Sequence, residues 1–187
     1  KPSRTAPARP TPAVAATATW RSNNSDFKTL FADPSAPLHK IIQIANQHSV
    51  NLYSEMLVRL LGINYQATHP EAYAHDAFTA GRDRIREWEI KLPGTASAAV
   101  MADGCGLSRQ NLLSASELVK VLVYMNRAQY HVDFINSLAR PGEPGTLQYR
   151  FLGLPAGISL HAKTGSLSRV RSLSGYLSKD GQPRLVF

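Results

Sequence analysis

The sequence predicts an α+β protein in which helices pack on an antiparallel sheet, and three observations predict it. Apolar residues recur at helical spacing from Leu38 to Met125. Near the far end that spacing gives way to alternation, with Ile158, Leu160 and Ala162 set against Ser159, His161 and Lys163. The turn chemistry of Lys179-Asp180-Gly181 then joins two further short strands, Leu173–Leu177 and Arg184–Phe187.

Residues 1–19 are rich in Pro, Ala and Thr and carry no apolar period, the composition of a linker or an irregular arm. Order is predicted from about Trp20, making 20–187 one folded region. A first helix is expected from Ser35, with Ser35 as its cap, Pro37 in the opening turn, and Leu38, Ile41, Ile42 and Ala45 on one face. The polar run Gln47-His48-Ser49 interrupts that face. Leu52, Met56, Leu60 and Leu61 then resume a helical stripe that is expected to stop at Gly62. Ser49-Val50-Asn51 therefore falls where one helix yields to the next.

Asp76 is placed to cap a third helix carrying Phe78, Ile85, Trp88 and Leu92, with Pro93-Gly94 as its stop. Ala98–Met101 reads as a short strand entering the turn Asp103-Gly104-Cys105-Gly106. Ser114-Ala115-Ser116-Glu117 is a capping box ahead of Leu118, Val119, Leu122 and Met125.

Composition bounds the function. The 187 residues suffice for one domain with a real core, and 43% of them are apolar. No apolar run approaches the roughly 20 residues of a membrane span, and no basic-then-apolar signal opens the chain. One cysteine, Cys105, excludes an internal disulfide and a four-cysteine zinc site. The net charge of +8 is scattered and partly carried by Lys1, Arg4, Arg9 and Arg21, without a basic stripe interleaved with aromatics. A solvated basic surface suited to an anionic polymer fits better than a nucleic-acid site.

Two short motifs carry chemistry. Lys163-Thr164-Gly165-Ser166 sets a cation and two hydroxyls along a strand, and Gly165 lets a ligand approach the backbone. A peptide can add to such a strand by main-chain hydrogen bonds. Ser49 can relay a proton, while the Asn51 amide can both donate to and accept from a peptide bond. Neither motif is specific alone, since Ser49 also suits a helix cap and Lys163 a surface lysine. Their order and their expected placement on a helix turn and a strand make the pair informative. Ser-x-Asn and Lys-Thr-Gly are two of the three motifs of penicillin-recognising serine enzymes, whose third, Ser-x-x-Lys, supplies the nucleophile.

Further blocks narrow the resemblance. They are Ser35-Ala36-Pro37-Leu38, Ala102-Asp103-Gly104-Cys105-Gly106-Leu107-Ser108-Arg109, Gly145-Thr146-Leu147-Gln148-Tyr149-Arg150, and Ala162 to Leu167 followed by Ser174-Gly175-Tyr176. From about Ser35 to Phe187 the chain resembles the D-alanyl-D-alanine carboxypeptidase/endopeptidase family, the low-molecular-mass class C penicillin-binding proteins. The resemblance implies a transpeptidase/β-lactamase-like fold and a periplasmic or otherwise extracytoplasmic place in the bacterial envelope. It implies peptidoglycan stem peptides and β-lactams as partners, with no cofactor and no metal. It also implies roles. Ser49 takes part in proton transfer, Asn51 holds the substrate amide, and Lys163 stands beside the nucleophile. Thr164 and Ser166 grip the terminal carboxylate, and the Ser166 amide forms half of an oxyanion hole.

The chain departs from that family's pattern at two places. Val50 stands where aspartate is usual, expected to matter for local packing more than for chemistry. Cys105 replaces the serine of the Asp-Gly-Ser-Gly turn and is expected to be a small buried thiol, since nothing nearby is suited to activate it. The nucleophile itself is missing. Ser25-Asp26-Phe27-Lys28 spells Ser-x-x-Lys, but it lies only 24 positions before Ser49, follows Asn23 and Asn24, and looks like an exposed helix start. The acylating serine is expected in an N-terminal half outside this chain, and the end at Phe187 inside a strand fits a piece of a longer enzyme. The alternative is a non-catalytic peptidoglycan-binding module of the same fold.

Overall fold

A computed structural model describes residues 33–69, 76–93 and 98–187. The chain divides into two units, residues 1–37 and 38–187. Of the first, only 33–37 are described, as irregular chain. The expected linker, the start of order near Trp20 and the Ser25–Lys28 tetrad lie outside the described residues.

The second unit opens with α1, Leu38–His48, and α2, Asn51–Gln66. The first helix begins after Pro37 rather than at Ser35, because a proline drives the residue before it toward extended backbone. The second runs past Gly62, which is a crossing point rather than a stop. α3, Ala77–Ile90, packs there so closely that a Cβ on Gly62 would lie 1.8 Å from the Ala77 carbonyl oxygen. A Cβ on Gly81 would likewise lie 2.0 Å from the Val58 carbonyl oxygen. Ala80 is fully buried and Val58 nearly so, which anchors this pair of helices. The stripe Leu52, Met56 and Leu60 is helical as expected but faces outward, at 65%, 54% and 49% exposure.

Asp76 caps α3 as read from the sequence, accepting the amides of Phe78 and Thr79 at 3.0 and 3.1 Å. The helix ends at Ile90, and Leu92 is buried just beyond it. Ala98–Met101 is not a strand. Its one ladder contact among the described residues is an isolated antiparallel bridge between Val100 and Leu112, with irregular chain beside it. α4, Ala115–Arg127, starts at the expected capping box: Ser114 Oγ accepts the Glu117 amide and the Glu117 carboxylate accepts the Ser114 amide. A short α5, His131–Ser137, follows without a clear sequence signal.

Three antiparallel strands complete the unit: β1 Ile158–Leu167, β2 Val170–Lys179 and β3 Gln182–Val186, in that order across the sheet. Asp180 and Gly181 both have positive φ, the backbone of a tight two-residue hairpin, as their sequence predicted. Alternation along β1 sends Leu160 and Ala162 into a core with Ala139 and Leu147. The opposite face carries His161 and Lys163. Beside His161 in the ladder, Tyr176 packs with Leu122 and Leu138, and its hydroxyl donates to the Leu122 carbonyl at 2.6 Å. Burial pushes that phenol up to about 12. Gly175 lets β1 approach, since a Cβ there would lie 2.1 Å from the His161 carbonyl oxygen. The whole is an α+β arrangement of helices packed on a sheet.

Candidate active site

Between α1 and α2 the chain turns through Ser49, which adopts a left-handed φ of 55°, uncommon for a residue with a side chain. Val50 is extended and serves as the N-cap of α2 without any side-chain cap bond. Asn51 is the first helical residue and is exposed. The turn is braced from the far side by the Gly145-Thr146 segment. The Thr146 amide donates to the Gln47 carbonyl at 2.9 Å, and Gly145, at φ 144°, passes within 2.8 Å of that oxygen if given a Cβ. Asn46 of the same helix end donates to Ser137 Oγ at 2.8 Å.

Lys163 on β1 reaches this turn. Its Nζ donates to Ser49 Oγ at 2.8 Å and to the Thr164 carbonyl at 2.8 Å. Burial depresses the Lys163 pKa, because the low-dielectric setting disfavours the ammonium. The two motifs separated in sequence thus form one constellation. Thr164 and Ser166 lie further along the same strand, and Asn51 follows Val50 at the start of α2 with no hydrogen bond to Lys163 among the described residues.

Backbone direction matters as well. Ala162 exchanges hydrogen bonds with Ala139 across the outer edge of β1, at 3.0 and 3.1 Å. Strand alternation turns the N–H and C=O groups of Thr164 and Ser166 toward that same edge, where no further strand pairs with them among the described residues. Gly165 has an additional reason to lack a side chain: a Cβ there would meet Ser172 Oγ at 2.1 Å. A side chain at this position would oblige the Ser172 hydroxyl to rotate away.

The Asp103–Arg109 block is seated on α2. Glu55 Oε1 accepts the amides of Gly104 and Cys105 at 2.7 and 3.0 Å, while Arg59 donates to its other oxygen at 2.7 Å. The Arg59 bond, ahead of these amides, holds the Glu55 carboxyl below the usual range. Asp103 accepts from the Gly106 amide, the Ser108 amide and the Asn111 side chain. Burial raises the Asp103 pKa, but the Asn111 side chain and these amides outweigh it and leave a net lowering. Arg109 Nη2 extends to the Ser168 carbonyl in the β1–β2 turn at 3.1 Å, tying this block to the lysine strand.

Cys105 is partly rather than fully buried, and its thiol pKa is raised, first by desolvation and then by the nearby Glu55 and Asp103 carboxylates. It lacks the electropositive surroundings of a reactive thiolate. Glu55, Asp103 and Cys105 offer ligand atoms within 4.8 Å of one another, but both carboxylates are already committed to backbone amides.

The profile of the D-Ala-D-Ala carboxypeptidase 3 (S13) family matches residues 13–187. The chain belongs to that family. It is 32% identical over 158 residues to penicillin-sensitive carboxypeptidase A of Dictyostelium discoideum, covering 83% of this chain and 29% of that protein. It is also 32% identical over 157 residues to a D-alanyl-D-alanine carboxypeptidase of an Actinomadura species, covering 81% of the chain and 28% of the relative. The chain therefore spans less than a third of these relatives' length. Among solved structures it resembles penicillin binding protein 4 of Haemophilus influenzae complexed with a β-lactam, with a TM-score of 0.59 and 23% identity over 80% of this chain and 36% of that one. A second structure of penicillin binding protein 4 from the same organism gives 0.58 and 25%, over 75% and 30% of the two chains. The likeness places the fold among the penicillin-recognising transpeptidase/β-lactamase-like proteins.

Proposed function

We propose that the chain forms two walls of the cleft of a serine-type D-Ala-D-Ala carboxypeptidase/endopeptidase acting on peptidoglycan stem peptides. The observation that carries this reading is the 2.8 Å hydrogen bond from Lys163 Nζ to Ser49 Oγ, made inside a chain of this family. The nucleophile is proposed to come from a Ser-x-x-Lys outside these 187 residues, whose helix would cover the exposed α2 stripe of Leu52, Met56 and Leu60.

In this reading the incoming serine attacks the carbonyl of the D-Ala-D-Ala bond. The Ser166 amide, on the open strand edge, donates to the developing oxyanion. Ser49 relays the proton from the serine to the departing amine, and Lys163 holds the Ser49 hydroxyl in line while favouring negative charge at the reacting centre. Asn51 binds the substrate's peptide bond, and Thr164 and Ser166 bind the terminal carboxylate. Water then releases the acyl group and restores the serine. A periplasmic or extracytoplasmic setting fits this substrate, and no helix among the described residues is long and apolar enough to cross a membrane.

Intact-mass measurement after incubation with a β-lactam tests the reading. The full-length protein is expected to gain the mass of one opened β-lactam, on a serine outside this chain. Binding of D-Ala-D-Ala peptides without any adduct would instead make the protein a non-catalytic peptidoglycan-binding module. An adduct on Ser25 would overturn the external nucleophile.

A further inference from the structure

Beside the lysine strand lies an open cleft of about 670 Å³, lined among others by Thr146, Arg150, Thr164, Ser166, Arg171 and Ser172. Among the described residues its only charged lining is the two arginines, and neither has an acidic partner there. Arg171 sits directly opposite Ser166 in the β1–β2 ladder, and opposed residues of an antiparallel pair share a face. Its guanidinium is fixed rather than free: Nη1 donates to the Leu167 carbonyl at 2.7 Å and to the Val170 carbonyl at 3.1 Å. That anchoring leaves Nε and Nη2 without a partner among the described residues. Arg150 is steadied over the Phe151 ring at 5.0 Å. Thr146 Oγ1 is buried and has no hydrogen-bond partner among the described residues.

With two guanidiniums and no carboxylate among its described lining residues, the cleft carries positive charge that an anion can balance. A planar guanidinium fork is also the side chain best matched to a carboxylate. The geometry points to an anion subsite formed by Arg171 and Arg150 beside Thr164 and Ser166, with Arg171 as the specificity-determining residue for ligands ending in a free carboxylate. This deepens the reading above, on which it rests for the identity of the ligand. Thr164 and Ser166 offer neutral hydroxyls, which an amide end can also satisfy. Arg171 supplies the charge that separates an acid from its amide.

Isothermal titration of the full-length protein with a blocked tripeptide ending in D-Ala-D-Ala, and with its C-terminal amide, tests the subsite. The free acid is expected to bind at least about tenfold more tightly than the amide. Arg171→Gln should weaken the acid about tenfold and leave the amide within about twofold, while Arg171→Lys keeps part of the preference and Arg150→Gln loses less of it. Equal affinities of wild type and Arg171→Gln for the acid would overturn the subsite, as would a wild type that does not distinguish the two peptides. Penicillin labelling run alongside separates the two claims. Labelling with an unmoved acid preference removes the subsite alone, whereas a collapsed preference in a protein that penicillin never labels leaves the subsite and removes the catalytic reading.

Discussion

Lys163 Nζ donates to Ser49 Oγ at 2.8 Å, joining side chains 114 positions apart in the sequence. One belongs to a strand and the other to a strained turn between helices, so the contact depends on tertiary packing and not on local structure. Its supports are identifiable: the Gln47–Thr146 hydrogen bond behind the turn, and the Ala139–Ala162 pair beside the strand.

Gly145 sets the position of that turn. A methyl group there would press on the Gln47 carbonyl oxygen and force a left-handed backbone on a residue that resists it. Gly145→Ala should lower the rate of penicillin labelling of the full-length protein more than it lowers thermal stability. Loss of stability with unchanged labelling would show that the brace does not position Ser49.

Val50 occupies the N-cap of α2 and supplies no side-chain cap bond, although its carbonyl accepts the Tyr53 and Ser54 amides at 3.2 and 3.4 Å. An aspartate at this position could accept one of those amides through its side chain, which valine cannot do. Val50→Asp should raise stability by about 1 kcal/mol, read as an increased urea midpoint with an unchanged slope.

Much of this was legible in the sequence. The capping residues Asp76 and Ser114, the hairpin at Asp180-Gly181 and the alternation of β1 are local signals, and local physics decides them. The meeting of Ser49 with Lys163 was foreseen only through the pairing of motifs. Gly62 was misread as a stop because a glycine in a helix looks identical in sequence whether it ends the helix or admits a neighbour. Only the close passage of Ala77 and Gly81 distinguishes the two. The shared cleft of Arg150 and Arg171 is not legible in the sequence for a related reason: Arg150 lies in the chain before β1 and Arg171 on β2, so only tertiary packing sets both at one lining.

Tyr176 donates its fully buried hydroxyl to the Leu122 carbonyl, connecting the sheet to α4. Tyr176→Phe removes this second donor, while Leu122, inside α4, keeps its place in the helical ladder. A loss of about 1 kcal/mol in urea unfolding is expected. An unchanged urea midpoint would mean that the hydroxyl bond does not hold the sheet to α4.

Glu55 fastens the Asp103–Arg109 block to α2, and its pKa is lowered chiefly by the Arg59 bond. A carboxyl lowered in the folded state contributes stability that is complete above its ordinary value near 4.5 and fades as pH falls through the lowered one. Glu55→Gln should therefore be less stable at pH 7, with a shallower fall in melting temperature on acidification below about pH 4.5. Parallel curves for wild type and variant would remove Glu55 from the acid response.

The most direct measurement of the two-wall cleft is the second-order rate of fluorescent-penicillin acylation of full-length wild type, Lys163→Ala and Ser49→Ala. Each variant is expected to stay folded and to label at least about a hundredfold more slowly. Wild-type labelling by Lys163→Ala would contradict the assignment of β1 as a wall of the active site.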